Sequence, residues 1–179
     1  MSAEGPIRRQ LTLLLGAYGY NLYDNKNRAR TDDLLVREKA ASALAEAAGA
    51  LGALRTAYRR RFIPPPTREN PEPPRDRLDS LGAMAAIQER ASVLETRIRS
   101  MPVPTQDRVW ERFRREQTLL NELLTHDLGL IAPCQEARDQ AQSLAPDTWS
   151  DETAASLYRT LDDIERSARA RAEFLQVPG

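Results

Sequence analysis

The sequence predicts an all-α protein: an antiparallel helical bundle of about five helices with coiled-coil-like packing. Three observations carry this expectation. Apolar residues recur at alternating three- and four-residue spacing: Ala40, Leu44, Ala47, Leu51, Leu54, Tyr58; then Met84, Ile87, Ala91, Leu94, Ile98, Met101. A third run takes in Ala154, Leu157, Leu161, Ile164, Ala168 and, past Arg171, Leu175. Such spacing draws one apolar stripe along a helix. Prolines separate the runs, and no segment shows the alternating pattern of a strand. Finally, 41% hydrophobic, 29% charged and only 6% aromatic residues suit narrow stripes under ionic faces, and exclude a disordered chain.

At 179 residues the chain is the size of one domain, 1–179. It allows a subdivision into N-terminal helices 1–63, a proline-rich linker 64–75 and a helical bundle 76–179. The first helix starts at Pro6, suited to a first turn, and runs to about Tyr23 with Ile7, Leu11, Leu14 and Tyr18 on one face. Asp24 to Arg28 is either a loop or a hydrated turn within one longer helix. Thr31 or Asp32 caps the second helix, residues 32–62, which spans roughly 45 Å at about 1.5 Å per residue. Six prolines between Pro64 and Pro74 end it, because proline has no amide hydrogen and restricts the residue before it. Pro71-Glu72-Pro73-Pro74 could present a polyproline helix, but a semi-rigid connector is the commoner use of such a segment.

The third helix covers 76–101 and stops at Pro102-Val103-Pro104. The fourth covers 105–131, with Val109, Phe113, Leu120, Leu124, Leu128 and Ile131 inward; Pro133 ends or kinks it before a short piece carrying Ala137, Ala141 and Leu144. The last covers 150–176, where acidic first turns and late Arg166, Arg169 and Arg171 complement the helix dipole.

The residues that carry chemistry are few. With one histidine, His126, and one cysteine, Cys134, neither a di-iron bundle nor a zinc site of the Cys/His type can be assembled. The Asn- and Asp-rich stretch from Asn21 to Asp33 fails the calcium-loop pattern, since counting from Asp24 puts Lys26 and Arg28 where acids belong. Cys134 reads as a small buried residue and His126 as a surface one, not as nucleophile and base. Asp32-Asp33 and Asp162-Asp163 are neighbours in sequence, which point about 100° apart on a helix and make poor shared-proton dyads. No phosphate-cradling loop or nucleotide fingerprint is present. The expectation is a non-enzyme with no cofactor and no metal.

The leading functional expectation is a protein–protein interaction or scaffold module, partnered by another protein or by its own copies. Helix 32–62 carries small residues four apart at Ala41, Ala45, Gly49 and Ala53, beside its main stripe, and these form the expected self-association seam. The alternative is binding of nucleic acid or an anionic membrane surface through Arg55, Arg59, Arg60 and Arg61 and through Arg108, Arg112 and Arg115. Net charge supports neither strongly: residues 1–75 carry 13 basic and 8 acidic side chains, and residues 76–179 carry 13 and 18, so +5 is balanced by −5. A ligand pocket between helices would read as core. The excess of Arg over Lys and the many alanines match a GC-rich bacterial genome, and a lone cysteine suits a reducing cytoplasm. Residues 7–20, behind Arg8-Arg9, offer a lesser alternative, an exported or membrane-associated protein.

Overall fold

In the computed structural model, which describes residues 6–16, 22–23, 29–63, 65, 67–68 and 72–176, the chain is all-helical, with no strand among the described residues. Six helices are present: α1 Pro6–Leu15, α2 Ala29–Phe62, α3 Arg75–Arg99, α4 Asp107–Arg115, α5 Gln117–Ser143 and α6 Asp151–Gln176, with a 3-10 turn at Pro146–Thr148 before the last. The longest, α2, lies between α3 and α5; α6 closes against α5 and α3, and α1 and α4 pack on α5.

Side-chain pairing gives the directions. Arg37 near the start of α2 donates to the carbonyl of Arg99 at the end of α3, while Arg77 at the start of α3 donates to the Tyr58 hydroxyl near the end of α2. The two helices are therefore antiparallel. Asp127 with Arg171, and Gln140 with Thr160, show the same for α5 and α6. All three apolar stripes are buried from end to end. Arg90 and Arg97 pin α3 to Glu165 of α6 at 3.2 and 2.9 Å, and their hydrogen bonds hold the Glu165 carboxyl below its ordinary pKa.

Several expected boundaries move. α1 ends at Leu15, not Tyr23: Gly16 takes φ +66, the left-handed conformation that glycine reaches without a Cβ clash. This break also settles that α1 and α2 are separate helices. Leu11 is buried, and Ile7 and Leu14 pack against the core, whereas Tyr18 lies outside the described residues. α2 starts at Ala29, so Thr31 and Asp32 sit within its first turn instead of capping it.

The expected helix 105–131 is two helices. Glu116 is extended, at φ −103 and ψ 97, although nothing near it is a helix breaker. On α4, before the break, the Trp110 ring stacks on Tyr23 at 6.0 Å, and its indole N–H donates to the Pro104 carbonyl at 3.0 Å. Pro133 does not end α5, which runs through it to Ser143. The carbonyl that loses its partner there belongs to Gly129, an exposed residue that solvent can reach. Among the described residues no helix is long and apolar enough to cross a membrane.

Candidate functional site

On α6 the stripe Ile164, Ala168, Leu175 is completed by Arg171, which occupies a core position and is fully buried. Arg171 does not serve the helix dipole at the surface, as expected from its place late in the helix. Two carboxylates meet it. Its Nε donates to Asp127 Oδ1 of α5 and its Nη2 to Asp33 Oδ1 of α2, both at 2.8 Å. Asp127 and Asp33 also fall on the inner faces of their helices, between Leu124 and Ile131 and one turn before Arg37.

The cluster extends in both directions. Tyr23 donates its hydroxyl to Asp127 Oδ2 at 2.9 Å, and its backbone N–H donates to Asp32 Oδ2 at 2.7 Å. The φ of Tyr23, +64, turns the chain so that one residue reaches both carboxylates. Arg37 donates from Nε to Asp33 Oδ2 at 2.9 Å and from Nη1 to the carbonyls of Arg99 and Met101, at 3.1 and 3.0 Å. One network thus joins α2, α5, α6, the end of α3 and the segment before α2. Asp32 and Asp33 meet different donors, the Tyr23 backbone N–H for the first and Arg37 and Arg171 for the second.

Burial dominates the electrostatics. It pushes the Asp127 carboxyl above its ordinary pKa, while Arg171 and the hydrogen bonds from Arg171 and Tyr23 pull it back only in part. Burial opposes the Arg171 cation too, but attraction to Asp127 and its other partners outweighs it and the pKa rises. The Tyr23 phenol is held well above its ordinary value by burial and then by Asp127. Every carboxylate oxygen of Asp33 and Asp127 has a donor, and both side chains are sealed from solvent. That geometry is a structural tie. Arg171 Nη1 is buried with no hydrogen-bond partner among the described residues.

A second feature lies on the outside of the bundle. The break at Glu116 leaves a cleft of about 380 Å³ between α4, the first turn of α5 and the end of α6, with Val109, Phe113, Leu119 and Phe174 as its apolar wall. The Phe113 and Phe174 rings are 5.5 Å apart, and the half-buried His126 ring lies 4.7 Å beyond Phe174. Gln106, Arg108 and Arg112 make the polar rim.

The residues singled out from sequence fall in separate places. Ala41 is buried inside the core, while Ala45, Gly49 and Ala53 are exposed on α2. Arg55, Arg59 and Arg60 are exposed and carry no ion pair among the described residues, whereas Arg61 pairs with Asp147 at 2.8 Å. Of the second cluster, Arg112 pairs with Glu116 and Arg115 with Glu111, at 3.0 and 2.6 Å; Arg108 has no ion pair among the described residues. Pro71 of the proline segment lies outside the described residues, as does the stretch from Asp24 to Arg28. Cys134 is buried, and burial pushes its thiol up to about 12. Among the described residues no three His, Cys, Asp or Glu side chains are placed to hold a metal ion.

Sequence reasoning missed the Arg171 cluster, although its signal was present. Continuing the stripes by three or four residues puts Asp33 and Arg37 before Ala40, and Arg171 between Ala168 and Leu175. Charges of opposite sign at core register on separate helices mark a buried pair. No protein-family model matches the chain, and no curated protein or solved structure matches it.

Proposed function

We propose that the protein is a non-catalytic interaction module that self-associates through the outer face of α2. The observation that carries this reading is the exposed lane of Ala45, Gly49 and Ala53 at four-residue spacing on the longest helix. These side chains are small enough for a second helix to approach closely, and a Cβ built on Gly49 meets no atom within 4 Å, so the fold itself makes no use of the space. Leu34 and Leu35, 52% and 38% exposed, add apolar surface near the start of the same helix. The contact is isologous if two copies pair around a two-fold axis. Light scattering on the eluting protein across micromolar concentrations tests this. A dimer that Ala45→Glu or Ala53→Glu converts to monomer supports it, and a strict monomer for the unaltered chain refutes it.

A second reading is favoured by the unpaired, exposed Arg55, Arg59 and Arg60 near the end of α2. It makes the protein a binder of nucleic acid or of an anionic membrane surface, with affinity that falls steeply as salt rises. Binding to DNA or to anionic vesicles at low ionic strength, weakened by replacing Arg59, Arg60 and Arg61 with Ala, supports it. No binding at low salt removes it.

A further inference from the structure

We propose that the cleft between α4, α5 and α6 binds a small soluble amphiphilic anion, an aryl or short acyl carboxylate, with its apolar body on Phe113 and Phe174 and its charge between Arg108 and Arg112.

The cleft's size, wall and rim each specify part of that ligand. A volume of about 380 Å³ falls at the lower end of the roughly 300–1,000 Å³ of small-molecule sites. It admits one or two fused rings or a short chain. Val109, Leu119 and Phe174 are half-buried, so each keeps apolar surface in contact with water that a ligand would cover. Phe174 is half-buried and stands at 42° to Phe113, 5.5 Å away, so Phe174 carries the open ring surface against which a flat body packs and the buried Phe113 backs it.

The rim supplies the sign. No carboxylate side chain lines the cleft, and both charged residues that do are arginines. Arg108 and Arg112 are one turn apart on α4, so their side chains project from the same side of the helix. Arg112 uses its Nε on Glu116, which leaves its terminal nitrogens for a second acceptor. Arg108 is exposed with no ion pair among the described residues, whereas Arg112 and Arg115 on the same helix pair with Glu116 and Glu111. An arginine fork beside an apolar slot recognises a carboxylate attached to an apolar body. Nothing in this argument depends on α2 self-association. These arginines differ from the Arg55–Arg61 cluster in standing beside an apolar wall, Val109, Leu119 and Phe174.

Isothermal titration of the full chain with naphthoate, and with its uncharged isostere naphthamide, tests the proposal. Naphthoate is expected to bind, with naphthamide weaker by about tenfold or more, the scale of one charged hydrogen bond. Arg108→Gln with Arg112→Gln should bring naphthoate down to the naphthamide level. Val109→Trp, which fills the slot from a partly exposed position, should abolish binding of both; circular dichroism confirms that the variants keep their helices. Decanoate below its micelle concentration should compete with naphthoate. Equal affinity for acid and amide, or a double arginine variant that binds naphthoate unchanged, overturns the proposal. So does binding to anionic phospholipid vesicles with no binding of monomeric naphthoate or decanoate.

Discussion

Replacing Arg171 with Met removes the cation shared by Asp33 and Asp127 while keeping an unbranched apolar stem. In the native protein Arg171 and Asp127 are 0% exposed and Asp33 1%. Removing Arg171 leaves the Asp127 carboxylate uncompensated in the core, while Asp33 keeps Arg37, and breaking a buried pair in this way costs about 3–5 kcal/mol. For a chain of 179 residues, each kcal/mol shifts the melting temperature by about 2–4 °C, so the loss is roughly 6–20 °C. The pH dependence identifies the cause. Burial already holds the Asp127 carboxyl above its ordinary value, and without Arg171 it rises further. A group with a raised folded-state pKa imposes no penalty below its unfolded pKa and its full penalty above the folded one. The gap between native and variant protein should therefore be smallest near about pH 4 and widen as pH rises through the raised folded-state value of Asp127. Urea unfolding followed by circular dichroism measures both. Arg171→Met combined with Asp127→Asn should recover about 1–2 kcal/mol of the loss, because the buried charges are removed together. A cost under about 1 kcal/mol, or a gap that does not change with pH, would refute the reasoning.

Four further outcomes follow from the packing and the backbone. Tyr23→Phe leaves Asp127 Oδ2 without its donor and should cost about 1–3 kcal/mol, measured in the same urea assay. Cys134 should resist a thiol reagent such as Ellman's in the folded protein at mildly alkaline pH, since burial raises its pKa to about 12, and should react at once in urea. Gly82→Ala, at an exposed helix position where the new Cβ meets nothing within 4 Å, should stabilise the protein by about 0.5–1 kcal/mol. Gly16→Ala, at φ +66, should instead destabilise it by about 1–2 kcal/mol.

The elements readable from sequence were those whose stripe and stop coincide. α3 and α6 match their expected spans to within two residues, because unbroken three- and four-residue spacing runs between prolines or acidic first turns. The misread boundaries depend on tertiary contacts or on one backbone angle. Glu116 interrupts a helix with no local breaker beside it, and Pro133 fails to interrupt one because Gly129 faces solvent. Cys134 was legible as core, being small and on the inner face. The charged cluster is not, because Asp33, Asp127 and Arg171 lie on three different helices, and on its own helix each looks like an ordinary surface charge. The cleft beside Phe113 could not be read at all: it exists only because α4 and α5 are separate helices.

The buried cluster also orders events during synthesis. Asp33 is made early and its partner Arg171 lies 138 residues later in the chain. Until α6 docks, Asp33 has Arg37 of its own helix but Asp127 has no cation at core register, so closing α2 on α5 would bury the Asp127 carboxylate uncompensated. Hydrophobic stripes alone would let a partial bundle settle. The ion cluster raises the cost of such a partial core, so closure of α2 on α5 is coupled to the docking of α6.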